Sequence, residues 1–227
     1  MARMRPRRRP TDADDDFAAA VESRLAPTDG EGAEFARGLR NVVDLTVDPV
    51  TGQLWAATNE RDNLGDNIPP EPVTPVEAGA NYGWPYCYWT PTGWRAGTRV
   101  ANRNPNCQGL TRYHGEQAHS APLGVAFLSG TAFPDTLRRS AFAAFHGSWN
   151  RGPQPQDGYN VTFQPFAGGK PSGTFEVFAD GFAGKTPLMN PGEAAYRADG
   201  VAQARDGSLY ISESQKGRVW RVVYTGK

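Results

Sequence analysis

The segment spanning residues 59–66 collects oxygen donors in one short loop. It carries the carboxylates Glu60, Asp62 and Asp66, and Gly65 is its only glycine. Hard cations such as Ca²⁺ bind oxygen ligands, and a glycine lets the backbone turn sharply around them. The same composition is also typical of a solvated acidic turn. The loop is therefore a candidate calcium site whose assignment depends on its neighbours.

Two neighbouring stretches carry further polar and aromatic groups. Arg40 and Asn41 lie upstream of the loop, and an aromatic segment from Asn81 to Tyr86 lies downstream of it. A guanidinium suits an anionic ligand, whereas an Arg-Asn pair by itself is more typical of a surface turn. These stretches strengthen the case for a binding site around the loop.

Composition predicts an all-β fold and excludes several classes of function. The chain has 227 residues, a formal net charge of +0, 26 glycines and 19 prolines. Zero net charge argues against a nucleic-acid partner, and no apolar run approaches the roughly 20 residues of a membrane span. Short strands separated by Gly, Pro and Asp clusters are typical of sandwiches, barrels or propellers.

A weak repeat narrows the prediction to part of a β-propeller. Segments 45–58, 125–145 and 201–212 each contain a short alternating strand, a turn with Gly or Pro, and an apolar strand. Such hairpins are the inner strands of propeller blades, and the segments around 159–163 and 218–224 fit outer strands. The count predicts about three blades. Three blades cannot close a ring, so we expect exposed blade faces and self-association.

Residues 1–33 are expected to form a separate N-terminal segment, and residues 34–227 the blades. Five arginines occur before Pro10, and four aspartates occur from Asp12 to Asp16. This pattern is typical of a disordered tail, and the alternative is an arginine cluster that binds a polyanion. The stretch from Asp16 to Leu25 fits one short amphipathic helix. No apolar core follows the arginines, so the segment does not resemble a secretory signal peptide.

Cys87 and Cys107 flank a polar loop rich in Gly and Pro. Two cysteines without a CxxC motif do not predict zinc binding, and we favour a disulfide, which implies an oxidising compartment. Two reduced, partly buried thiols are the alternative.

An ordered set of motifs resembles the C-terminal half of the glucose/sorbosone dehydrogenase family. The set comprises Arg40-Asn41, the loop 59–66, residues 82–87, 119–124 and 146–151, and 206–210. The resemblance covers about Glu34 to Tyr224. It implies a six-bladed β-propeller that oxidises an aldose or sorbosone-type sugar with pyrroloquinoline quinone (PQQ) and Ca²⁺ as cofactors.

The resemblance also implies roles for individual residues. Arg40 would stabilise the quinone oxyanion, and Arg61 and Asp62 would offer main-chain carbonyls to the calcium ion, with the Asp66 carboxylate nearby. The residues expected to bind the cofactor are Arg40, Asn41, His119, His146 and Arg197. Trp84 and Trp149 are expected to pack between blades rather than to stack on a sugar.

The family's catalytic histidine lies before the position of Arg40, whereas His114, His119 and His146 all follow it. We therefore expect an inactive, truncated portion of a dehydrogenase. Family members imply a periplasmic or extracellular location, while the missing signal peptide allows a cytoplasmic one. The alternatives are a non-enzymatic propeller-like module that binds carbohydrate or protein, and a structural β-protein stabilised by calcium.

Overall fold

The computed structural model describes residues 24–25, 32–97 and 105–226. Within these ranges it contains β-strands and one 3₁₀ turn, Pro191–Glu193, and no α-helix, which confirms the predicted all-β class. The strands are β1 Arg24–Leu25, β2 Gly32–Ala33, β3 Asn41–Val47, β4 Leu54–Asn59, β5 Glu71–Pro75, β6 Cys87–Thr90, β7 Gly93–Ala96, β8 Gly115–Glu116, β9 Pro122–Phe127, β10 Ala141–Phe145, β11 Asn160–Gln164, β12 Phe166–Ala167, β13 Lys170–Pro171, β14 Glu176–Ala179, β15 Ala198–Gln203, β16 Leu209–Glu213 and β17 Val219–Val222.

Three larger antiparallel sheets follow one another along the chain. The first has the strand order β3-β4-β5-β8, the second β9-β10-β11-β14, and the third β15-β16-β17. In each sheet the first two strands form a hairpin, and these hairpins are the three repeats expected from the sequence. The strands predicted around 159–163 and 218–224 are also present, as β11 and β17. Strand β17 lies at the edge of its sheet, whereas β11 lies between β10 and β14.

The sheets pack side by side through their first strands. Strand β9 contacts β3 and β4 on one side and β15 on the other. The Asp44 carboxylate accepts a hydrogen bond from Val125 N at 2.8 Å, which ties the first sheet to the second. A Cβ atom at Gly124 would lie 2.8 Å from the Asp199 carbonyl oxygen, so the close approach of the second and third sheets requires glycine there.

Two apolar seams hold this row of sheets together. Trp55 and Val73 of the first sheet meet Phe127 and Phe145 of the second in one buried cluster. Another cluster joins the second sheet to the third, and it includes Phe142, Val161, Leu209 and Ile211. Fully burying one such side chain contributes about 1.5–3 kcal/mol, so the seams fix the relative positions of the sheets.

The two ends of the row expose apolar side chains. Leu45 and Val47 are exposed on the first sheet, and Val219 and Val223 are exposed at the far end of the third. Exposed apolar surface of this kind typically marks an interaction site.

The expected helix from Asp16 to Leu25 lies outside the described residues except for its last two, which form β1 and pair with Gly32–Ala33. Cys87 and Cys107 form a disulfide with a Cα–Cα distance of 5.9 Å. In the described ranges, no helix has the length and apolar character needed to cross a membrane.

Candidate functional site

The loop 59–66 leaves the end of β4 at the edge where β3 begins. Asn41 and Asn59 are paired across these two strands. Arg40 Nη1 donates hydrogen bonds to the main-chain oxygens of Asn59, at 3.1 Å, and Glu60, at 3.0 Å. Arg40 therefore fixes the backbone at the start of the loop.

Trp84 lies beneath two guanidinium groups of the site. The Arg61 guanidinium carbon is 4.2 Å from the centre of the Trp84 ring, and that of Arg40 is 5.6 Å from it. Arg61 Nη2 also donates to the Pro85 carbonyl at 2.9 Å. Cation–π contacts in such partly desolvated positions contribute about 0.5–2 kcal/mol, so the aromatic segment after the loop helps to orient Arg61.

Asp62 is contacted by side chains from the segments that flank β9 and β10 of the second sheet. Its Oδ1 accepts a hydrogen bond from Asn150 Nδ2 at 2.6 Å and lies 3.6 Å from His119 Nδ1. The other ring nitrogen of His119, Nε2, lies 2.7 Å from the Gly65 carbonyl oxygen. Both ring nitrogens of the buried His119 thus face acceptors, an arrangement that an imidazolium satisfies best.

The pKa values of this pair move in opposite directions. The hydrogen bond from His119 is the main cause that lowers the pKa of Asp62, and Asn150 adds to it. Burial works against protonation of His119, but the Asp62 carboxylate and the Gly65 carbonyl outweigh it and raise the pKa of the imidazole. Asp62 is therefore anionic and His119 tends to be cationic, and together they brace the middle of the loop.

The end of the loop is held by Arg151. Its Nε donates to the Asp66 carbonyl at 3.0 Å, and its Nη2 donates to Asn67 Oδ1 at 2.8 Å. Arg151 also follows Asn150 directly, so one segment of the second sheet contacts the loop at two places.

Two buried carboxyl groups interact at the base of the loop, Glu60 within it and Glu71 at the start of β5. Glu71 Oε2 accepts a hydrogen bond from Glu60 N at 2.6 Å, and Glu60 Oε2 accepts one from Arg61 N at 3.2 Å. Burial raises the pKa of Glu60 to about 7. Burial, with repulsion from Glu60, raises the pKa of Glu71 to about 8. These groups are the most strongly perturbed carboxyls near the loop, and a nearby cation would favour their ionised forms.

A second group of polar side chains surrounds the start of β15. Arg197 Nη1 lies 3.4 Å from His146 Nδ1, and Arg197 Nη2 donates to the Pro191 carbonyl at 2.9 Å. His146 Nε2 lies 2.8 Å from Ser214 Oγ. Burial, together with the charge of Arg197, lowers the pKa of His146, so this imidazole is neutral near pH 7.

Strained backbone connects the two groups. His146 N donates to the Ala121 carbonyl and Gly147 N to the Ser120 carbonyl, both at 2.9 Å. His119 and Ala121 have φ values of 64° and 55°, left-handed conformations that cost about 1–3 kcal/mol each. Gly147 has φ 96°, and a Cβ atom there would lie 2.4 Å from the Tyr159 ring, so only glycine allows this approach.

The loop and the segment that contacts it contain amide oxygens that suit a cation. Asn59 Oδ1 and Asn150 Oδ1 are buried and accept no hydrogen bond from the described residues. Leaving such an atom unpaired costs about 1–3 kcal/mol, and a metal ion or water would remove that cost. Among the residues that the structure describes, no cluster of three or more His, Cys, Asp or Glu side chains is arranged to bind a metal ion. Calcium bound here would therefore depend on main-chain carbonyl and amide oxygens, which are ordinary calcium ligands.

The structure brings most of the predicted residues to one edge. Arg40, Asn41, Arg61, Asp62 and His119 meet around the loop, and His146 and Arg197 form the adjoining group. Asp66 contributes its main-chain oxygen to the bond with Arg151.

Sequence reasoning assigned no role to Asn150, Arg151 or Glu71. Asn150 and Arg151 belong to the motif 146–151, but their partners in the loop are more than 80 residues away in sequence. The expectation that Trp149 packs between blades is wrong, because this side chain is 62% exposed beside the site. Trp84 is buried as expected.

The chain is an all-β protein in which three antiparallel sheets pack in a row. Its candidate site lies at one edge of the row, where the first strands of the sheets begin. The chain belongs to the TrAA12-like family, whose model matches residues 18–225.

Solved structures share this fold at low identity. The calcium structure of the Trichoderma reesei Carbohydrate-Active Enzymes family AA12 protein has a TM-score of 0.69 and 20% identity, covering 86% of this chain and 56% of that one. The PQQ-bound form of aldose sugar dehydrogenase from Streptomyces coelicolor has a TM-score of 0.52 and 19% identity, covering 92% of this chain and 48% of that one. These similarities show the fold.

A sequence relative is an uncharacterized protein of Borreliella burgdorferi. It is 28% identical over 192 residues, which make up 83% of this chain and 48% of the relative. The chain spans about half the length of the relatives that it matches.

Proposed function

We propose that this chain is the cofactor-binding half of a sugar dehydrogenase that uses PQQ and calcium. In this proposal residues 34–227 form three blades, the C-terminal half of a six-bladed β-propeller. Support comes from family membership, from neighbours that include a calcium structure and a PQQ-bound aldose sugar dehydrogenase, and from coverage of about half of each neighbour. The observation that carries the proposal is the braced loop 59–66 with two buried amide oxygens that accept no hydrogen bond from the described residues, Asn59 Oδ1 in the loop and Asn150 Oδ1 in the segment that contacts it.

The loop would hold the calcium ion. We assign the main-chain carbonyls of Arg61 and Asp62 as ligands and place Asp66 close to the ion. The contacts that fix this backbone come from Arg40, His119 and Arg151, so the carbonyls are positioned before a cation arrives. Such preorganisation lowers the cost of binding.

The polar and basic side chains at the same edge would bind PQQ, which is an anion. Arg40, Asn41, His119, His146 and Arg197 are the residues that we assign to this role, and guanidinium groups are the preferred partners of carboxylates. Bound PQQ would take up the hydride of the sugar, and bound calcium would polarise the quinone carbonyl. Arg40 would offset negative charge on that oxygen as the reaction proceeds.

The base that accepts the substrate proton is proposed to lie outside this chain. His119 does not suit the role, because both of its ring nitrogens face acceptors and its pKa is raised. His146 is neutral near pH 7, yet its Nε2 contacts Ser214 Oγ and its Nδ1 faces Arg197. The chain alone is therefore expected to be inactive.

The proposed substrate is an aldose or a sorbosone-type sugar. The disulfide between Cys87 and Cys107 supports a periplasmic or extracellular location for the protein, since such bonds persist in oxidising compartments.

Restoring the upstream blades tests the proposal. The chain should be fused to the N-terminal half of a longer family member and assayed for dye reduction with PQQ, calcium and a panel of aldoses. We expect turnover that requires both cofactors and is absent in the unfused chain. A folded fusion that binds neither cofactor would overturn the proposal.

One observation favours a second candidate, a non-enzymatic module that binds carbohydrate. Trp149 and Tyr86 are exposed. Trp149 precedes Asn150, which contacts Asp62 of the loop, and Tyr86 follows Pro85, which contacts Arg61 of the loop. Exposed aromatic rings suit the apolar faces of sugars. Glycan binding that is unaffected by PQQ and chelators would support this candidate.

A further inference from the structure

Arg151 is a buried arginine that connects two sheets. Arg151 is only 8% exposed, and its guanidinium donates hydrogen bonds to four different acceptors. Two of these acceptors, Asp66 O and Asn67 Oδ1, belong to the segment that follows β4. The other two, Pro155 O and Asp157 Oδ2, belong to its own connection between β10 and β11.

Burial makes these bonds interdependent. A buried cation is tolerated only when its donors are paired, because removing it from water otherwise costs several kcal/mol. Arg151 therefore holds the loop and its own connection in one arrangement. A lysine at this position would keep the charge but lose the planar set of donors that reaches separate acceptors.

The neighbouring Asn150 adds a second point of attachment. Asn150 Nδ2 donates to Asp62 at 2.6 Å, while Arg151 Nε donates to the Asp66 carbonyl at 3.0 Å. The two residues are adjacent in the chain, so one segment of the second sheet holds the loop in its middle and at its end. Asn67 Oδ1, which accepts a bond from Arg151, also accepts one from Gln117 Nε2 at 3.3 Å. Gln117 directly follows β8, so this bond connects the end of the loop to another part of the first sheet.

We propose that Arg151, assisted by Asn150, is a positioning residue that sets the cation affinity of the loop from the neighbouring sheet. The proposal rests on the proposed function, in which this loop holds calcium. Arg151 touches neither cation nor quinone in this account and acts through the backbone of residues 62–67. Residues that support metal ligands in this way typically change metal affinity by about 10–100-fold when they are replaced.

The test compares Arg151→Ala and Arg151→Lys with the unmodified chain. Calcium affinity is measured by calorimetry, and hydrogen exchange is followed for peptides covering residues 61–67 in metal-free protein. We expect at least about tenfold weaker calcium binding and faster exchange confined to this segment, with Arg151→Lys rescuing little. Asn67→Ala is a second variant that removes one acceptor and leaves Arg151 intact.

Arg221→Ala is the matched control, because Arg221 bonds Asp206 and Ser208 in the third sheet, away from the loop. It should change neither calcium affinity nor exchange in residues 61–67. Unchanged exchange in this segment in a folded Arg151 or Asn67 variant would overturn the proposal. If the unmodified chain binds no calcium, the proposed function fails, while exchange in residues 61–67 still decides whether Arg151 positions the loop.

Discussion

Arg151 Nε donates to the main-chain oxygen of Asp66 at 3.0 Å, across the boundary between the second sheet and the first. This bond joins parts of the chain that are 85 residues apart. It shows that the loop after β4 is held by the sheet packed beside its own sheet. The candidate site is thus a property of the packed row of sheets rather than of one hairpin.

Arg40→Ala is expected to lower stability as well as cofactor binding. The substitution removes two hydrogen bonds from a charged donor to the carbonyls of Asn59 and Glu60. We expect a loss of about 2 kcal/mol in the free energy of unfolding, measured by urea denaturation. Arg205→Ala, at an exposed position, is the control and should change it by less than about 0.5 kcal/mol. Equal stability of the two variants would contradict the role of Arg40 in fixing the loop.

Glu71 makes stability depend on pH. Its pKa is about 8 in the folded protein against an ordinary value of 4.5, so between these values the folded protein binds more protons than the unfolded chain. Stability should therefore fall as pH rises from about 4.5 to about 8. Glu71→Gln keeps an acceptor for Glu60 N but does not ionise, and it should make this dependence shallower, while the raised pKa of Glu60 still contributes.

Melting temperatures in the presence of a chelator, measured between pH 5 and pH 8, check this prediction. Chelation is needed because a bound cation would favour the ionised carboxylate. Parallel pH profiles for the unmodified chain and Glu71→Gln would show that Glu71 is not the cause.

The disulfide should contribute measurably to stability. It closes a loop with a sequence separation of 20 residues, for which the chain-entropy model gives about 3 kcal/mol. Replacing both Cys87 and Cys107 by serine should lower the free energy of unfolding by about this amount, as measured in urea. Addition of a reductant should then destabilise the unmodified chain and leave the double variant unchanged. A reductant effect on both proteins would point to another cause.

The exposed ends of the sheet row are expected to drive self-association. Leu45 and Val47 at one end and Val219 at the other are exposed apolar residues, on the sheets that the proposed further blades would cover. Light scattering should show oligomers whose population falls in a Leu45→Lys, Val219→Lys double variant. Val177→Lys, at an exposed valine on β14, is the control and should leave the association unchanged. A monomeric unmodified chain would contradict this prediction.

Local features of the fold could be predicted because their causes are local in sequence. In the β3–β4 turn, Asp48 accepts bonds from Val50 N at 2.9 Å and from Thr51 Oγ1 at 2.6 Å, and Gly52 has φ 73°. These residue types favour turns through their own side chains, so the hairpin is visible in the sequence. The same reasoning holds for the turn at Asp206 and Ser208, where the aspartate accepts bonds from Ser208 N and Oγ.

The support of the site could not be predicted because it is non-local. Glu71 binds Glu60 N across the first sheet, and Arg151 reaches the loop from the second sheet. No periodicity or spacing indicates such pairs before the sheets are packed. Trp149 was predicted incorrectly for a different reason. As an aromatic residue in a strand-rich chain it was expected to be buried, but it is exposed beside the site.

The most direct test of the central claim is a titration of the purified chain with PQQ, followed by quinone absorbance, with and without calcium. The account predicts saturable binding that requires calcium and weakens in Arg40→Ala and Arg197→Ala, without any reduction of dye when aldose is added. Absence of PQQ binding at saturating calcium, by a chain shown to be folded, would contradict the account.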